Sequence, residues 1–414
     1  MTRHATETTN STASIREFGH PFRLLLTAAV ATRFADASRT AAFALLAATL
    51  SDDPRVVSAV AATAFLPWLL FGLPAGAFVD RHDKRRAFFV ADLARCALTA
   101  GLALAVATGH ITIAAVLVCA FALTTLQTVS DSCFNSLLPA VVAKENLGQA
   151  NARLSMAQNG IGQFAGGPAG STSFTWHATV PFLGNALCFL AAAGAVRRLP
   201  HSASDAGTRK PPGSLRADVG AGLLWIAATP LVRSLTLTVG IMNLASGLSQ
   251  GIMPLFALRT LDMPPVAFGA LAAGSAAAMI CGNFLAGRLL RRIPATRVSR
   301  AAVAVQVAAF TGLALAPSYA VALPCVALHG FTAGMWNVPG MTLLMDRAPE
   351  DMRGRVMAAY RTLSVSAVPL GAVLAGLLAH AAGNRVPFAA GALLLAVAAG
   401  QFIWTQRRAD ATPT

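Results

Sequence analysis

Asp36, Asp131 and His329 stand out chemically, because each lies inside a long apolar stretch and each can exchange a proton. A charge at a bilayer centre costs about 2.5–3.5 kcal/mol on insertion scales, so ionisable residues in such stretches are functional candidates by default. Asp36 is 13 residues beyond Arg23, roughly 20 Å along a helix at about 1.5 Å per residue. Arg33 and Arg39 lie three residues either side of it, within reach on the helix surface. The trio carries net +1, so one arginine neutralises Asp36 and the other is left to hold an anionic or hydrogen-bonding part of a ligand. Asp131 precedes Pro139 by eight residues and has no arginine in its own stretch. A carboxyl in a half-dry cavity is suited to proton exchange; the competing role is structural, pairing with Arg361 or with the basic residues after the second apolar stretch. Asp36 is likewise either a proton site or a fixed partner for Arg33 and Arg39. His329, the only one of eight histidines deep in a stretch, is either a pH-switching group or a hydrogen-bonded packing residue. Asp92 and Arg95, at i and i+3, read as a pair that satisfies itself.

Other chemistry is missing from the pattern. No nucleophile–base constellation, phosphate-cradling glycine loop or Walker sequence is recognisable, so the expectation is no enzyme, no ATP-driven step and no cofactor, with a proton gradient as energy source. The six cysteines, Cys96, Cys119, Cys133, Cys188, Cys281 and Cys325, all fall in apolar stretches without C-x-x-C spacing, which predicts no metal site and no disulfide framework.

The elements that must position these groups follow from composition. Of 414 residues 55% are hydrophobic and 12% charged, half the charge density of a soluble domain. That indicates a membrane protein. The net charge of +15 could suggest nucleic acid, but no basic face with interleaved aromatics accompanies it. Apolar runs of spanning length fall near 23–49, 55–80, 87–108, 111–138, 150–174, 178–197, 230–257, 266–290, 298–317, 319–345, 354–380 and 386–405. Twelve spans are predicted. The first carries Arg33, Asp36 and Arg39 in its middle, unlike a cleavable signal peptide, so it is expected to stay. With the N-terminus inside, 25 of the 32 basic residues lie on the inner side, three in outer loops and four within spans. Lys and Arg are retained on the cytoplasmic side, which predicts cytoplasmic termini.

The longest polar stretch, from Arg197 to Asp218, divides the spans six and six, and residues from Ser214 to Ala228 read as an amphipathic helix on the inner surface. The predicted fold is therefore all-α, with a six-helix bundle over 1–196, a cytoplasmic linker over 197–229 and a second six-helix bundle over 230–414. Two such halves are the plan of a secondary transporter rocking around a midplane site.

After the second span comes Gly76-Ala-Phe-Val-Asp80-Arg81-His-Asp83-Lys84-Arg85-Arg86. This resembles the loop 2–3 signature of the major facilitator superfamily, with Gly76, Asp80, Arg81, Lys84 and Arg85 matching and Asp83 in place of the usual second glycine. The glycine lets helix ends touch, and an acidic group among arginines makes a latch that parts when the cytoplasmic side opens; Arg361 is a candidate member. A weaker echo, Gly282 to Arg292, occurs six spans later and points to internal duplication. Leu66 to Gly76, Asp131 to Pro139, Glu145 to Leu154 and Asp351 to Ala358 are similar to bacterial exporters of the enterobactin-exporter and macrolide-efflux type. Gly162 to Gly170 is partly similar to the Gly-Pro motif of drug/proton antiporters, and small residues with Pro168 would equally serve packing and a bend.

The family plan implies a central path lined by spans one, four, seven and ten. Candidate cavity residues are then Arg33, Arg39, Thr125, Gln127, Asn243, Gln250, Trp336 and Asn337. The expected function is proton-coupled export of a small molecule, a siderophore or an antibiotic-like compound, by alternating access, with Asp36 and Asp131 as first candidates for coupling. Arg33 and Arg39 favour a siderophore. A nutrient importer and a non-transporting receptor are the competing readings. Expected partners are the small-molecule substrate, protons and the lipid bilayer, with no nucleic acid, for a monomer in the bacterial inner membrane.

Overall fold

A computed structural model describes residues 18–200, 215–350 and 352–411, with side chains described except at 72–74, 76–78, 80, 159, 161–163, 215–219, 358 and 408–411. Residues 1–17, 201–214, 351 and 412–414 lie outside these residues, and with 201–214 the middle of the predicted linker. Every described element is helical. The helices are α1 (Gly19–Leu50), α2 (Pro54–Arg81), α3 (Lys84–Ala107), α4 (Ile113–Val141), α5 (Leu147–Ala157), α6 (Gly167–Trp176) and α7 (Val180–Arg197). They continue with α8 (Leu215–Ala228), α9 (Pro230–Leu255), α10 (Pro265–Leu289), α11 (Ala295–Leu315), α12 (Tyr319–Arg347), α13 (Arg353–Ala382) and α14 (Val386–Ala411).

Ten helical segments among the described residues are long and apolar enough to cross a membrane. The remaining two predicted spans, α1 and the run 147–176, are helical throughout but too polar to qualify by composition. In α1 the cause is the Arg33–Asp36–Arg39 group. In 147–176 it is a polar start followed by a wide π-helical segment, Gln158–Gly166, that joins α5 to α6. Pro168, near the start of α6, has no N–H to offer the turn before it and its ring crowds that turn, which widens there.

Helix ends obey local chemistry. Asp53 caps α2 by accepting from the Arg55 amide at 2.9 Å, ahead of Pro54 at the first helical position. Thr112 caps α4, accepting from the Ala115 amide at 3.2 Å. Asp83 caps α3, accepting from the Arg86 amide at 3.0 Å. The residue that stands in place of a glycine therefore starts the next helix with φ of −62°, and the turn needs no left-handed backbone. Gly383, at φ of 97°, does need it, to end α13.

Helices α1 to α7 pack among themselves, as do α9 to α14, while α8 lies on α13 and α9. Large side chains such as Leu104, Val118, Leu187, Leu393 and Val397 face outward and exposed, the inverse of a water-soluble surface and suited to lipid. The halves meet through α2 against α13 and α6 against α10. Both contacts need glycine. A Cβ at Gly376 would strike Pro54, Arg55 and Ser58, and one at Gly269 would strike Gly167, Pro168 and Ser171. These seats lie at the end of the bundle that holds the α1–α2 and α9–α10 loops. There Asp52 also pairs with Arg259 at 2.9 Å and Asp53 approaches His380 at 3.8 Å, each pair crossing between halves.

Candidate functional site

Six charged side chains gather in the first half, at depths set by helix register. Arg33 is 14 residues into α1, Asp131 ten residues before the end of antiparallel α4, and Arg95 eleven residues into α3. At about 1.5 Å per residue these depths agree to within roughly 6 Å, so the three helices bring their charges to one level.

Arg95 is the hub. It is wholly buried, lies with its guanidinium 4.0 Å from the Phe189 ring centroid of α7, and donates to Asp36 of α1 and, at 3.1 Å, to Asp92. The same Asp92 oxygen accepts from the Ser130 hydroxyl of α4 at 2.8 Å. Arg39 donates to Gln127 Oε1 at 3.1 Å and approaches Asp36 at 3.4 Å. Arg33 donates to Asp131 Oδ1 at 2.8 Å, and this pair is the accessible edge of the cluster, its side chains 34% and 22% exposed. Guanidinium groups offer several donors in a fixed fork, which lets Arg95 serve two carboxylates. Asp131 Oδ2 is buried without a hydrogen-bond partner.

Several expectations are corrected. The Arg33–Asp36–Arg39 trio does not leave a spare cation: three arginines meet three aspartates and the cluster sums to zero, because α3 and α4 supply two more carboxylates and one more guanidinium than α1 alone reveals. Asp131 takes its ion partner from α1, Arg33, whereas Arg361 lies exposed on α13. Asp92 and Arg95 do pair, but Arg95 also reaches across to Asp36. Gln127 is buried and engaged by Arg39. Trp336 is buried too, with its ring centroid 5.4 Å from that of Phe402, and is a packing residue rather than a cavity lining.

The other candidates are spread out. Thr125 turns its hydroxyl to the Phe121 carbonyl at 2.9 Å. Asn243 is half-buried on α9, where Gln250 is exposed and donates to Ser246 at 3.2 Å; Asn337 is exposed on α12. His329 accepts at Nδ1 from Gln306 of α11 at 3.0 Å and sits edge-on to Phe310, while Thr332 donates to the Gln306 carbonyl oxygen. In the loop 2–3 motif Arg81 is exposed, Lys84 is buried at the start of α3, and Arg85 donates to the Arg197 carbonyl at the end of α7, where orphan carbonyls favour a cation. The side chains of Gly76 and Asp80 lie outside the described ones.

Asp92 and Arg95 are cluster members that sequence reasoning set aside as a self-satisfied pair, and Phe189 is one it missed. The available signal was depth: Asp92 and Arg95 lie eight and eleven residues into α3, away from either surface, where a charge is a functional candidate by default.

Comparison with known proteins agrees with this architecture. The multidrug efflux pump Tap of Mycobacterium tuberculosis (strain ATCC 25618 / H37Rv) is 28% identical over 396 residues, covering 90% of each chain, and the Tap of Mycobacterium bovis (strain BCG / Pasteur 1173P2) matches equally. Among solved structures, a bacterial homologue of the iron transporter ferroportin in the inward-facing state superposes with a TM-score of 0.75 at 17% identity, covering 95% of this chain and 99% of that one. The nucleoside transporter NupG gives 0.74 at 12% identity over 92% and 98%. A bacterial homologue of the human lysosomal transporter Spinster, inward-facing and unoccupied, gives 0.70 at 16% identity over 94% and 97%. The solved structures establish the fold. The family described as transmembrane secretion effector matches residues 12–412, and the chain belongs to that family of the major facilitator superfamily.

Proposed function

We propose that this transporter exports small drug-like molecules in exchange for protons, from a bacterial cytoplasmic membrane with both termini inside and the two six-helix halves rocking about the cavity between them. The observation that carries the reading is the Arg33–Asp131 pair, half-accessible at mid-depth at the edge of an otherwise buried ion cluster. A proton arriving at Asp131 would weaken its hold on Arg33 and change the charge presented to the cavity. Asp36 is held by Arg95 and Arg39 and serves as the fixed counter-ion. His329 has a neutral amide and an aromatic edge as neighbours, which supports packing over proton transfer. The relatives named as multidrug efflux pumps support export, and the neutral cluster removes the cationic anchor that favoured a siderophore. No latch role for Arg361 is supported by its position.

The test is transport in inverted membrane vesicles. An imposed pH gradient should drive accumulation of a fluorescent drug, and Asp131→Asn should reduce that accumulation to the level seen without a gradient. A native rate in Asp131→Asn, or flux indifferent to the gradient, overturns the coupling.

A further inference from the structure

We propose that Arg361 of α13 anchors an acidic group of the cargo, which makes the cargo an organic anion with an apolar body. This rests on the exporter reading above and names its substrate class. Arg361 lies eight residues beyond Arg353, about 12 Å along α13, farther from a helix end than any other described Lys, Arg, Asp or Glu of the second half. A charge inside a spanning segment is costly and marks a ligand path by default. The Arg361 side chain is exposed and has no hydrogen-bond or ion partner among the described residues. The arginines of the first-half cluster, by contrast, are balanced by its own carboxylates.

Helix phase decides what this exposure faces. The exposed leucines Leu363, Leu370 and Leu377, spaced by seven, form one stripe along α13, and at about 100° per residue Arg361 points about 160–200° away from it. That stripe is the lipid side. Val368 and Ala372, which receive Gly247 and Gly251 of α9, lie within about 20° of Arg361, and Gly376, seated on α2, lies within about 60°. Arg361 therefore points between α9 and α2, into the space between the halves.

That space is open on both sides. Leu66 and Leu69 come eleven residues after Arg55 and Ser58, which lie under Gly376, and so continue the face of α2 that meets α13. Both leucines are exposed, so α2 and α13 part on the side of that seat away from the α1–α2 loop. The pairs Gly247–Val368 and Gly251–Ala372 show α9 and α13 running in the same direction, and Gly240 precedes Gly247 by seven residues just as Arg361 precedes Val368. A Cβ on Gly240 would meet nothing within 4 Å. A guanidinium standing free beside this gap offers a fork of donors to a carboxylate, sulfonate or phosphate. The leucine face of α2 then takes the apolar remainder of the molecule.

The test is calorimetric titration of the full chain in phosphatidylcholine nanodiscs with naphthalene-2-sulfonate, a permanent anion, and with its neutral isostere naphthalene-2-sulfonamide. The sulfonate should bind tighter by about tenfold or more, the factor that a hydrogen bond to a charged group supplies. Arg361→Gln should bring the sulfonate down to the affinity of the sulfonamide, and Arg361→Lys, which keeps the charge without the fork, should recover part of the difference. Leu66→Ala combined with Leu69→Ala should weaken both probes alike. Equal affinities in the native protein, a preference that persists in Arg361→Gln, no recovery in Arg361→Lys, or a leucine double variant that leaves both probes unaffected overturns the site. Direction is read separately, in vesicles. Inverted vesicles should accumulate the sulfonate; accumulation only in right-side-out vesicles, with the binding preference intact, overturns the exporter reading and leaves the anchor standing.

Discussion

The two halves of this transporter treat the same position in opposite ways. The twelfth residue of α3 is Arg95 and the twelfth residue of α11 is Gln306. Each is buried; Gln306 reaches α12 directly, whereas Arg95 binds Asp36 of α1 and its own helix's Asp92, through which Ser130 of α4 is tied in. In the first half the hub is a guanidinium binding two carboxylates under an aromatic face, with Ser130 of α4 completing the set. In the second half it is an amide joining His329 and Thr332 of α12, beside Phe310. Both halves thus keep a polar tie between their third and fourth spanning helices, and only one of them puts ionic charge into it. The amide version holds helices together at modest gain, about 0.5–1.5 kcal/mol per hydrogen bond. The ionic version contributes little net stability over an apolar core, but it fails badly when one member is removed. Such an arrangement is suited to a group whose charge must change during a cycle.

The largest effect should come from breaking the ionic hub. Arg95→Leu strands Asp36 and Asp92 in a dry interior, and loss of a buried partner costs about 3–5 kcal/mol; thermal unfolding in detergent should show it as lost expression or a collapsed midpoint. Gln306→Leu breaks the corresponding hub of the second half and leaves only neutral groups unpaired, at about 1–3 kcal/mol. A Gln306→Leu midpoint as low as that of Arg95→Leu would refute the contrast. Next in size is the pH response. His329→Gln should leave the pH profile of transport unshifted whereas Asp131→Asn should flatten it, and a profile altered equally by both would make the two halves alike after all.

Much of the fold was readable from apolar run lengths and basic residues alone, and the predicted spans agree with the helices to within a few residues; for example 178–197 is observed as Val180–Arg197. The segment expected as an amphipathic helix is observed as a helix, α8, but its apolar residues are not gathered on one face, so the amphipathic reading is not supported. The site was less readable for a physical reason. Spacing along one helix identifies neighbours at three and four residues, so the Arg33–Asp36–Arg39 trio could be seen but its partners on α3 and α4 could not. Charge neutrality is a property of the assembled cluster, and a trio read in isolation gave +1. Trp336 failed similarly: spacing along α12 could not show that its ring packs beside Phe402 of α14.

The contact between halves extends the comparison beyond the two hubs. Gly376→Leu places a side chain where Pro54, Arg55 and Ser58 already sit, so this end of the bundle should open; spin labels on the α1–α2 and α9–α10 loops should report a longer distance.

The Asp52–Arg259 pair at the same end is a smaller matter, because both side chains are more than half exposed and such pairs contribute about 0–1 kcal/mol. Asp52→Asn should therefore shift the loop distance far less than Gly376→Leu, and high salt should mimic it by screening. Asp53 next to it behaves differently with pH. Hydrogen bonds from the Arg55 side chain and amide hold its carboxyl down to about 2. A depressed carboxyl contributes its cap above the ordinary value near 4 and loses it as pH falls through the lowered one, so the cap of α2 should persist unchanged from pH 8 to pH 4. The loop distance should accordingly be insensitive to pH over that range, and a pH response there that is lost in Asp53→Asn would overturn the depressed carboxyl.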